Sequence, residues 1–542
     1  MSTLSIAGRL VDLKTRTVRP RHLLVENGRI AAINDTSDEP TQVIMPGFID
    51  AHIHIESSML VPSEFARLAV IHGTVATVSD PHEIANVLGL EGVRYMIANS
   101  KQVPFHFFFG APSCVPATSF ETAGASITPT EIEELFKNDG LLYLSEMMNY
   151  PGVLSNDPEV MKKIGIAQLL GRLVDGHAPG LRGEQARLYA AAGITTDHEC
   201  FTLEEALDKI ACGMKILIRE GSAAKNFDAL HPLFREHADK LMLCSDDLHP
   251  DQLVEGHINT VVRRAVRLGY DVMDVLQAAC THPIEHYGLN VGQLQVGDPA
   301  DFIVVNNLEE FRVHRTYVGG QLVAKDGLTL IEARPVPRIN HFACSKIQED
   351  RIAAPAKSDK IRVIEAISGE LITRGLTMRA SIEAGQYVSD PSRDLLKLVV
   401  INRYKEAQAS VAFIKGMGLR RGAIASSVAH DSHNIIAVGA DDKSLCQAIN
   451  AVISSQGGVS VAWEDGCAQL PLPIAGLMSD NDGHTVAEQY AELKSKAKAL
   501  GSSLPDPFMT LSFMALLVIP SLKLSDRGLF DANAFRFIPL EA

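Results

Sequence analysis

The chain has 542 residues, which calls for two or three domains rather than one. Hydrophobic residues at 46% and charged residues at 21% give an ordinary globular composition with ample material for a large core. A formal net charge of −15 argues against a nucleic-acid backbone as partner, because an acidic surface gains nothing from counterion release.

Residues 1–44 read as short strands, with Leu23-Leu24-Val25 and Ile30-Ala31-Ala32-Ile33 flanking Glu26-Asn27-Gly28 as a hairpin. From 45 to 290, apolar runs alternate with helix-like stretches. Eight candidate strands are expected: Ile44–His54, Thr74–Asp80, Phe105–Ala111, Leu142–Met147, Arg172–His177, Gly193–His198, Met214–Glu220 and Leu241–Asp247. Helical periodicity fills gaps such as Leu203–Ile210 and Val254–Leu268. Eight such units fit a (β/α)8 TIM-type barrel, and the charged and imidazole side chains at their ends favour it over a doubly wound open sheet.

The turn Gly297-Asp298-Pro299-Ala300-Asp301 leads into Phe302–Val305, expected to rejoin the N-terminal strands. Residues 1–44 with 291–340 then form a small β-sandwich domain. Glu349–Asp359 reads as a linker, and residues 341–542 as a C-terminal α+β domain with strand-like runs at Lys397–Ile401, Ile435–Val438 and Val459–Ala462. Eight cysteines without a C-x-x-C pair suit reduced, mostly buried thiols in a cytoplasmic protein. The N-terminal segment has no signal-peptide pattern. Apolar runs such as Phe513–Ile519 are too short to span a bilayer, so no membrane partner is expected.

His52-Ile53-His54 closes the first candidate strand. Alternate strand residues share a face, so both imidazoles can meet one cation. His177 and His198 end strands five and six, Glu146 ends strand four, and Asp246 and Asp247 end strand eight. Each alone reads as a capping or core-satisfied group. Together His52, His54, Glu146, His177, His198 and Asp246 suit two metal ions with a carboxylate bridging them.

The run Met45-Pro46-Gly47-Phe48-Ile49-Asp50-Ala51-His52-Ile53-His54 resembles the first-strand signature of the amidohydrolase superfamily, and Gly297–Val305 resembles the return into the small β domain of its urease-like branch. The chain is more closely similar to the adenine deaminase family. That likeness rests on His54–Met59, Asp80–Gly89, Cys244-Ser245-Asp246-Asp247, Arg421–Asn434 and Leu470–Asp480, and covers essentially the whole length. Many binuclear relatives bridge their metals with a carboxylated lysine on strand four; here, as the resemblance implies for this family, Glu146 stands there instead. A cytidine-deaminase-like architecture is set aside: His54-Ile55-Glu56 is an H-x-E, but no P-C-x-x-C exists in the chain.

The resemblance implies hydrolytic deamination of adenine to hypoxanthine and ammonia in purine salvage. It also implies two divalent ions (manganese or iron, with zinc compatible) and a homodimer. The barrel residues alone leave open another amidohydrolase acting on a cyclic amide or an N-acetyl sugar; the tail motifs argue against it. Asp246 is expected to shuttle the proton from water to the leaving amine, with Asp247 as the alternative. Glu56, Glu83 and Glu199 are candidates to protonate the purine ring, and His82 to support the site. Ser57 and Ser58 either bind the purine edge or cap the following helix. His430-Asp431-Ser432-His433-Asn434 is a candidate lid over a barrel mouth, competent to hold an extra metal; the other reading is a self-capped turn between two strands.

Overall fold

The computed structural model describes residues 3–38 and 40–542. Strands β1 (Thr3–Asp12), β2 (Thr17–Glu26) and β3 (Arg29–Asp35) form an antiparallel meander. Pairing of Glu26 with Arg29 leaves Asn27 and Gly28 as a two-residue turn, with φ of 50° and 79°. Two left-handed residues match the twist of a tight hairpin. A Cβ on Gly28 would stand 2.7 Å from the Gly319 carbonyl oxygen, so glycine is needed there on two counts.

The first strand expected from the sequence is in fact two, β4 (Val43–Pro46) and β5 (Phe48–Ile53). They part at Gly47, where a Cβ would meet Val75 at 2.4 Å. β4 lies between β1, to which it is parallel, and β13 (below), so the boundary drawn after residue 44 falls inside a strand of the outer sheet.

β5 starts a parallel series. It pairs with β6 (Thr74–Ser79), and β6 with β7 (His106–Phe109). A parallel bridge from Ala111 to Leu144 reaches β8 (Tyr143–Met147), which pairs with β9 (Leu173–Gly176). Another from Val174 to Ile194 leads to β10 (Thr196–Asp197), shorter than the expected Gly193–His198, and then to β11 (Lys215–Arg219) and β12 (Leu241–Cys244). The series returns to its start: the Asp246 amide donates to the His52 carbonyl at 2.9 Å, and the His54 amide to the Asp246 carbonyl at 3.3 Å. β5, β6, β8 and β12 are buried along their whole length, as near-continuous apolar runs in a parallel sheet require.

Beyond the intervening helices, β13 (Phe302–Val305) runs antiparallel to β4, followed by β14 (Val313–Val318), β15 (Gln321–Lys325) and β16 (Leu328–Thr329). The chain therefore does rejoin its N-terminal strands, but in one continuous sheet, β16-β15-β14-β13-β4-β1-β2-β3, where two sheets were expected. One apolar cluster, with Leu23, Ile30, Ile44, Phe302 and Tyr317, serves both halves of it.

In the tail, β17 (Lys360–Ala366), β18 (Thr373–Arg379), the hairpin β19 (Ser381–Glu383) and β20 (Gln386–Val388), β21 (Leu396–Ile401), β22 (Ser410–Lys415), β23 (Ala423–Ser426), β24 (Ile435–Gly439), β25 (Gly458–Trp463) and β26 (Gly466–Pro471) follow in order. Eight of them form a sheet ordered β18-β17-β22-β21-β24-β23-β25-β26. Alternation sorts its faces. Ala423, Ala425, Ile435 and Ala437 pack on Leu445, Ile449 and Val452 of the helix Asp442–Ser454. Ile424, Ile436 and Val438 point the other way, into the same apolar cluster as Phe65, Ile84 and Val87 of the parallel-stranded region. The two regions share a core, and Ser479 donates its amide to Met59 O at 2.8 Å across the seam.

Candidate metal centre

The hydrogen bonds that join β12 to β5 also assemble the site. Beneath it, Asp50 accepts from His257 Nε2 at 2.8 Å and from the Ser245 amide at 3.0 Å, tying both strand ends together. Asp246 adopts φ 57°, a left-handed turn that aspartate tolerates better than most residues. The turn sends the two neighbouring carboxylates different ways. Asp246 faces His54, with Oδ1 3.1 Å from Nε2, whereas Asp247 accepts from Ser57 Oγ at 2.5 Å.

His54 Nδ1 donates to the Asp80 carbonyl at 3.1 Å, which fixes the tautomer and leaves Nε2 as a lone pair. That Nε2 lies 3.2 Å from His52 Nε2. Glu146, at the end of β8, faces two ways. Its Oε1 is 3.2 Å from His54 Nε2, and its Oε2 is 2.7 Å from His177 Nδ1 and 3.1 Å from His198 Nε2. All six side chains are buried. His177 Nε2 has no hydrogen-bond partner, and the 3.1 Å approach of His198 Nε2 to Glu146 is not aligned as a hydrogen bond; such orphaned buried nitrogens are expected where a cation belongs. His52, His54 and Asp246 form one group of converging donors, and His52, Glu146 and His198 another. Imidazoles with carboxylates suit first-row divalent ions, so the residues present fit a metal centre.

Electrostatics prepares the ligands. Burial works against charge on Asp246, but Arg219 beside it holds the carboxyl well below its usual range. Burial likewise opposes ionisation of Glu146, and His177 overrides it. Burial, with His198 and His54 adjoining, keeps His52 neutral far below the usual imidazole range. Against burial, the surrounding carboxylates raise His54, His177 and His198, so a cation would have to displace the protons these imidazoles favour.

The chain compares with known proteins as follows. Residues 43–323 match the amidohydrolase family, and residues 370–536 the adenine deaminase C-terminal domain. Adenine deaminase of Salinibacter ruber is 57% identical, over 99% of both chains. That of Sulfurovum sp. is 54% identical over 97% of this chain and 98% of its own, and that of Methanosarcina mazei 50% identical over 99% of both. The chain belongs to the adenine deaminase family. It is thereby a metal-dependent hydrolase of the amidohydrolase type. Among the described residues no helix is long and apolar enough to cross a membrane.

The remaining residues singled out in the sequence fall into distinct places around this adenine deaminase family site. Glu83, His82, Glu199, His430 and Asp431 line the same cavity as His54, Glu146, His177, His198 and Asp246. Glu83 accepts from His430 Nδ1 at 2.6 Å, and His433 Nε2 contacts its other oxygen, so the tail loop reaches the mouth of its own chain's parallel-stranded region. Glu199 is taken up by Arg219. Glu56 accepts from the Ile84 amide at 3.2 Å, and Ser58 Oγ donates to the Ile55 carbonyl at 2.6 Å. Ser58 is therefore spent on the short turn Ile55–Ser58, and Ser57 on Asp247.

Sequence reasoning missed Arg219, which contacts both Glu199 and Asp246 with Nη1. It lies in an expected strand one residue before its end, and its charge at a buried strand position was the available signal. Asp80 was missed as well; its Oδ2 is 3.1 Å from His82 Nδ1. So were Leu371, Phe513 and Leu516, the tail's apolar wall of the cavity, whose placement depends on tertiary docking.

Proposed function

We propose that the protein hydrolyses adenine to hypoxanthine and ammonia at a two-metal centre on a (β/α)8 barrel formed by β5 to β12. In this reading, β1–β4 and β13–β16 make up the small β domain and residues 341–542 the C-terminal domain. The observation that carries it is Glu146, one oxygen toward His54 and the other toward His177 and His198. His52, His54, Glu146, His177, His198 and Asp246 would hold two divalent ions, manganese or iron with zinc also suited to the donors. Such ions, when bound, lower the pKa of water enough to make hydroxide available near neutral pH.

The chain's own residues do the rest. Arg219 grips Asp246 Oδ2, leaving Oδ1 toward His54. From there Asp246 takes the proton of the attacking water and delivers it to the departing amine at C6. Glu83, the carboxylate in the cavity joined to two imidazoles, would pass a proton to a ring nitrogen through the oxygen that His433 contacts. Glu199 and Glu56 serve this role less well, being held by Arg219 and by the Ile84 amide. Phe513 stacks on His430 with centroids 4.7 Å apart, and with Leu371 and Leu516 it offers an apolar wall to a planar base while excluding water. A chain of this family with free, mostly buried cysteines is read as a cytoplasmic homodimer in purine salvage.

The experiment is adenine loss followed together with ammonia release, against dihydroorotate and hydantoin as cyclic amides. Equimolar ammonia from adenine is expected, with free adenine favoured over adenosine in kcat/KM. Turnover of a cyclic amide without turnover of adenine would overturn the reading.

A further inference from the structure

Next to the six-ligand cluster lies a second convergence of donors, built half from the barrel-side helix His82–Leu88 and half from the tail loop. His82 Nε2 is 3.5 Å from Glu83 Oε1 and 3.9 Å from Asp431 Oδ1. His430 Nδ1 is 2.6 Å from Glu83 Oε1 and 3.9 Å from Asp431 Oδ1. Donors of His82, Glu83 and Asp431 all fall within 4.8 Å of one another. Bonds of about 2.1 Å in a tetrahedral site put neighbouring ligand atoms about 3.4 Å apart. Three of these four separations are near that figure. The short one is a hydrogen bond whose proton a cation would displace.

Three further observations mark the cluster as a site rather than a chance set of ion pairs. His82 Nδ1 lies 3.1 Å from Asp80 Oδ2, so that nitrogen carries the proton and Nε2 presents its lone pair to the cluster. His433 holds the far oxygen of Glu83, fixing the carboxylate from behind. Asp431 is 2% exposed, and its Oδ2 has no hydrogen-bond partner. A buried carboxylate oxygen left unpaired is costly unless a proton or a cation meets it.

We propose that His82 Nε2, Glu83, His430 Nδ1 and Asp431 hold a third divalent cation at the seam between barrel and tail. Two imidazoles and two carboxylates select a first-row transition ion over calcium or magnesium. The site is separate from the proposed pair, since His82 turns its other nitrogen toward Asp80 and toward Glu146, 3.5 Å away. It binds the tail loop to the barrel through metal bonds, so the cation acts as a clasp on the closed cavity.

The count rests on the two-metal reading, and the variants separate the two. The full chain is stripped with a chelator and dialysed against Mn(II), and bound metal is measured by mass spectrometry. Three equivalents are expected for the wild type. Asp431→Asn and His430→Gln should each lose one equivalent and keep two. Glu146→Gln should lose metal from the pair and keep the seam ion. Saturation of the wild type at two equivalents or fewer overturns the proposal unless each seam variant then falls one equivalent lower, which would overturn the two-metal reading instead; full wild-type stoichiometry in both seam variants overturns it in every case. Melting curves check that each variant is folded. If neither seam variant folds, the wild-type isotherm still decides. Loss of metal in Glu146→Gln alone, with the seam variants at wild-type count, would leave the pair standing and remove the third ion.

Discussion

The mouth of the parallel-stranded region and the tail loop Ser427–Asn434 both present imidazoles and carboxylates to one cavity, but they reach it by different means. At the mouth, strand alternation and the β12-to-β5 hydrogen bonds place His52, His54 and Asp246 directly. The tail loop has no regular pairing and is nevertheless buried. Its backbone and side chains are satisfied one at a time. Asn434 accepts from the Arg403 amide at 3.1 Å and donates to Thr122 O at 2.9 Å, and the His433 amide donates to Ala429 O at 2.8 Å. Side chains on regular strands are positioned by the pairing itself, while those on the irregular loop depend on distant partners from two regions.

The contrast is broken most severely by removing ligands at the mouth. His52→Ala or His54→Ala is expected to reduce adenine turnover to background, and Glu146→Gln to lower metal occupancy of the pair. Full activity at one metal equivalent per chain would end the binuclear reading. Truncation near residue 340 should yield an insoluble or inactive chain, because Ile424, Ile436, Tyr490 and Phe508 share one core cluster with Phe65 and Ile84. A soluble, active truncation would show that the tail contributes nothing to the mouth.

Arg219→Met should come next. It leaves Glu199 and Asp246 buried without their cation, a loss of roughly 3–5 kcal/mol on chemical denaturation of the metal-free protein. In the loop, the double variant His430→Ala/His433→Ala should reduce kcat/KM at least about tenfold, or about 1.4 kcal/mol of transition-state stabilisation, with the mouth pair still loaded. Near-normal kinetics would make the loop structural only.

The smallest effect sharpens the comparison at the wall behind the loop. Lys523 is fully buried, its ammonium donating to the carbonyls of Leu371 and Phe513 at 2.7 and 2.8 Å. Burial pushes its pKa down to about 7. Between that value and the ordinary lysine value near 10.4, the unfolded chain carries a proton that the folded chain has released. Stability therefore rises with pH across this window, by at most about 1.4 kcal/mol per unit, and is lowest below it. Denaturation at pH 7 and pH 9 should show a smaller rise in Lys523→Met than in the wild type. An equal rise would place the ammonium's proton elsewhere.

This asymmetry also governs what the sequence made legible. The convergence of His52, His54, Glu146, His177, His198 and Asp246 was readable because each lies at or near the end of an expected strand, and period two puts His52 and His54 on one side. The Glu26-Asn27-Gly28 hairpin was readable because its turn requires residues that accept left-handed backbone. The split at Gly47 was hidden: Ile44–His54 is one unbroken apolar pattern, and only packing of Gly47 against Val75 separates its halves. That Asp246 and Asp247 face different partners was also hidden, since it turns on one positive φ. Arg219 looked like a strand-end charge until its two carboxylate partners, distant in sequence, came together. The tail loop's polar cluster was visible, but its partner Glu83 lies almost 350 residues earlier, a pairing no local pattern encodes.

The bonds between Asp246 and the residues around Ile53 have a consequence for how the protein is made. A ribosome delivers the chain from its N-terminus, so His52 and His54 emerge long before the strand that completes their surroundings. The pair's ligands cannot converge until Asp246 has been synthesised, and the loop that covers them arrives nearly 200 residues later. On the two-metal reading, loading of the pair is thus a late step of biogenesis, possible only once Asp246 has joined His52 and His54.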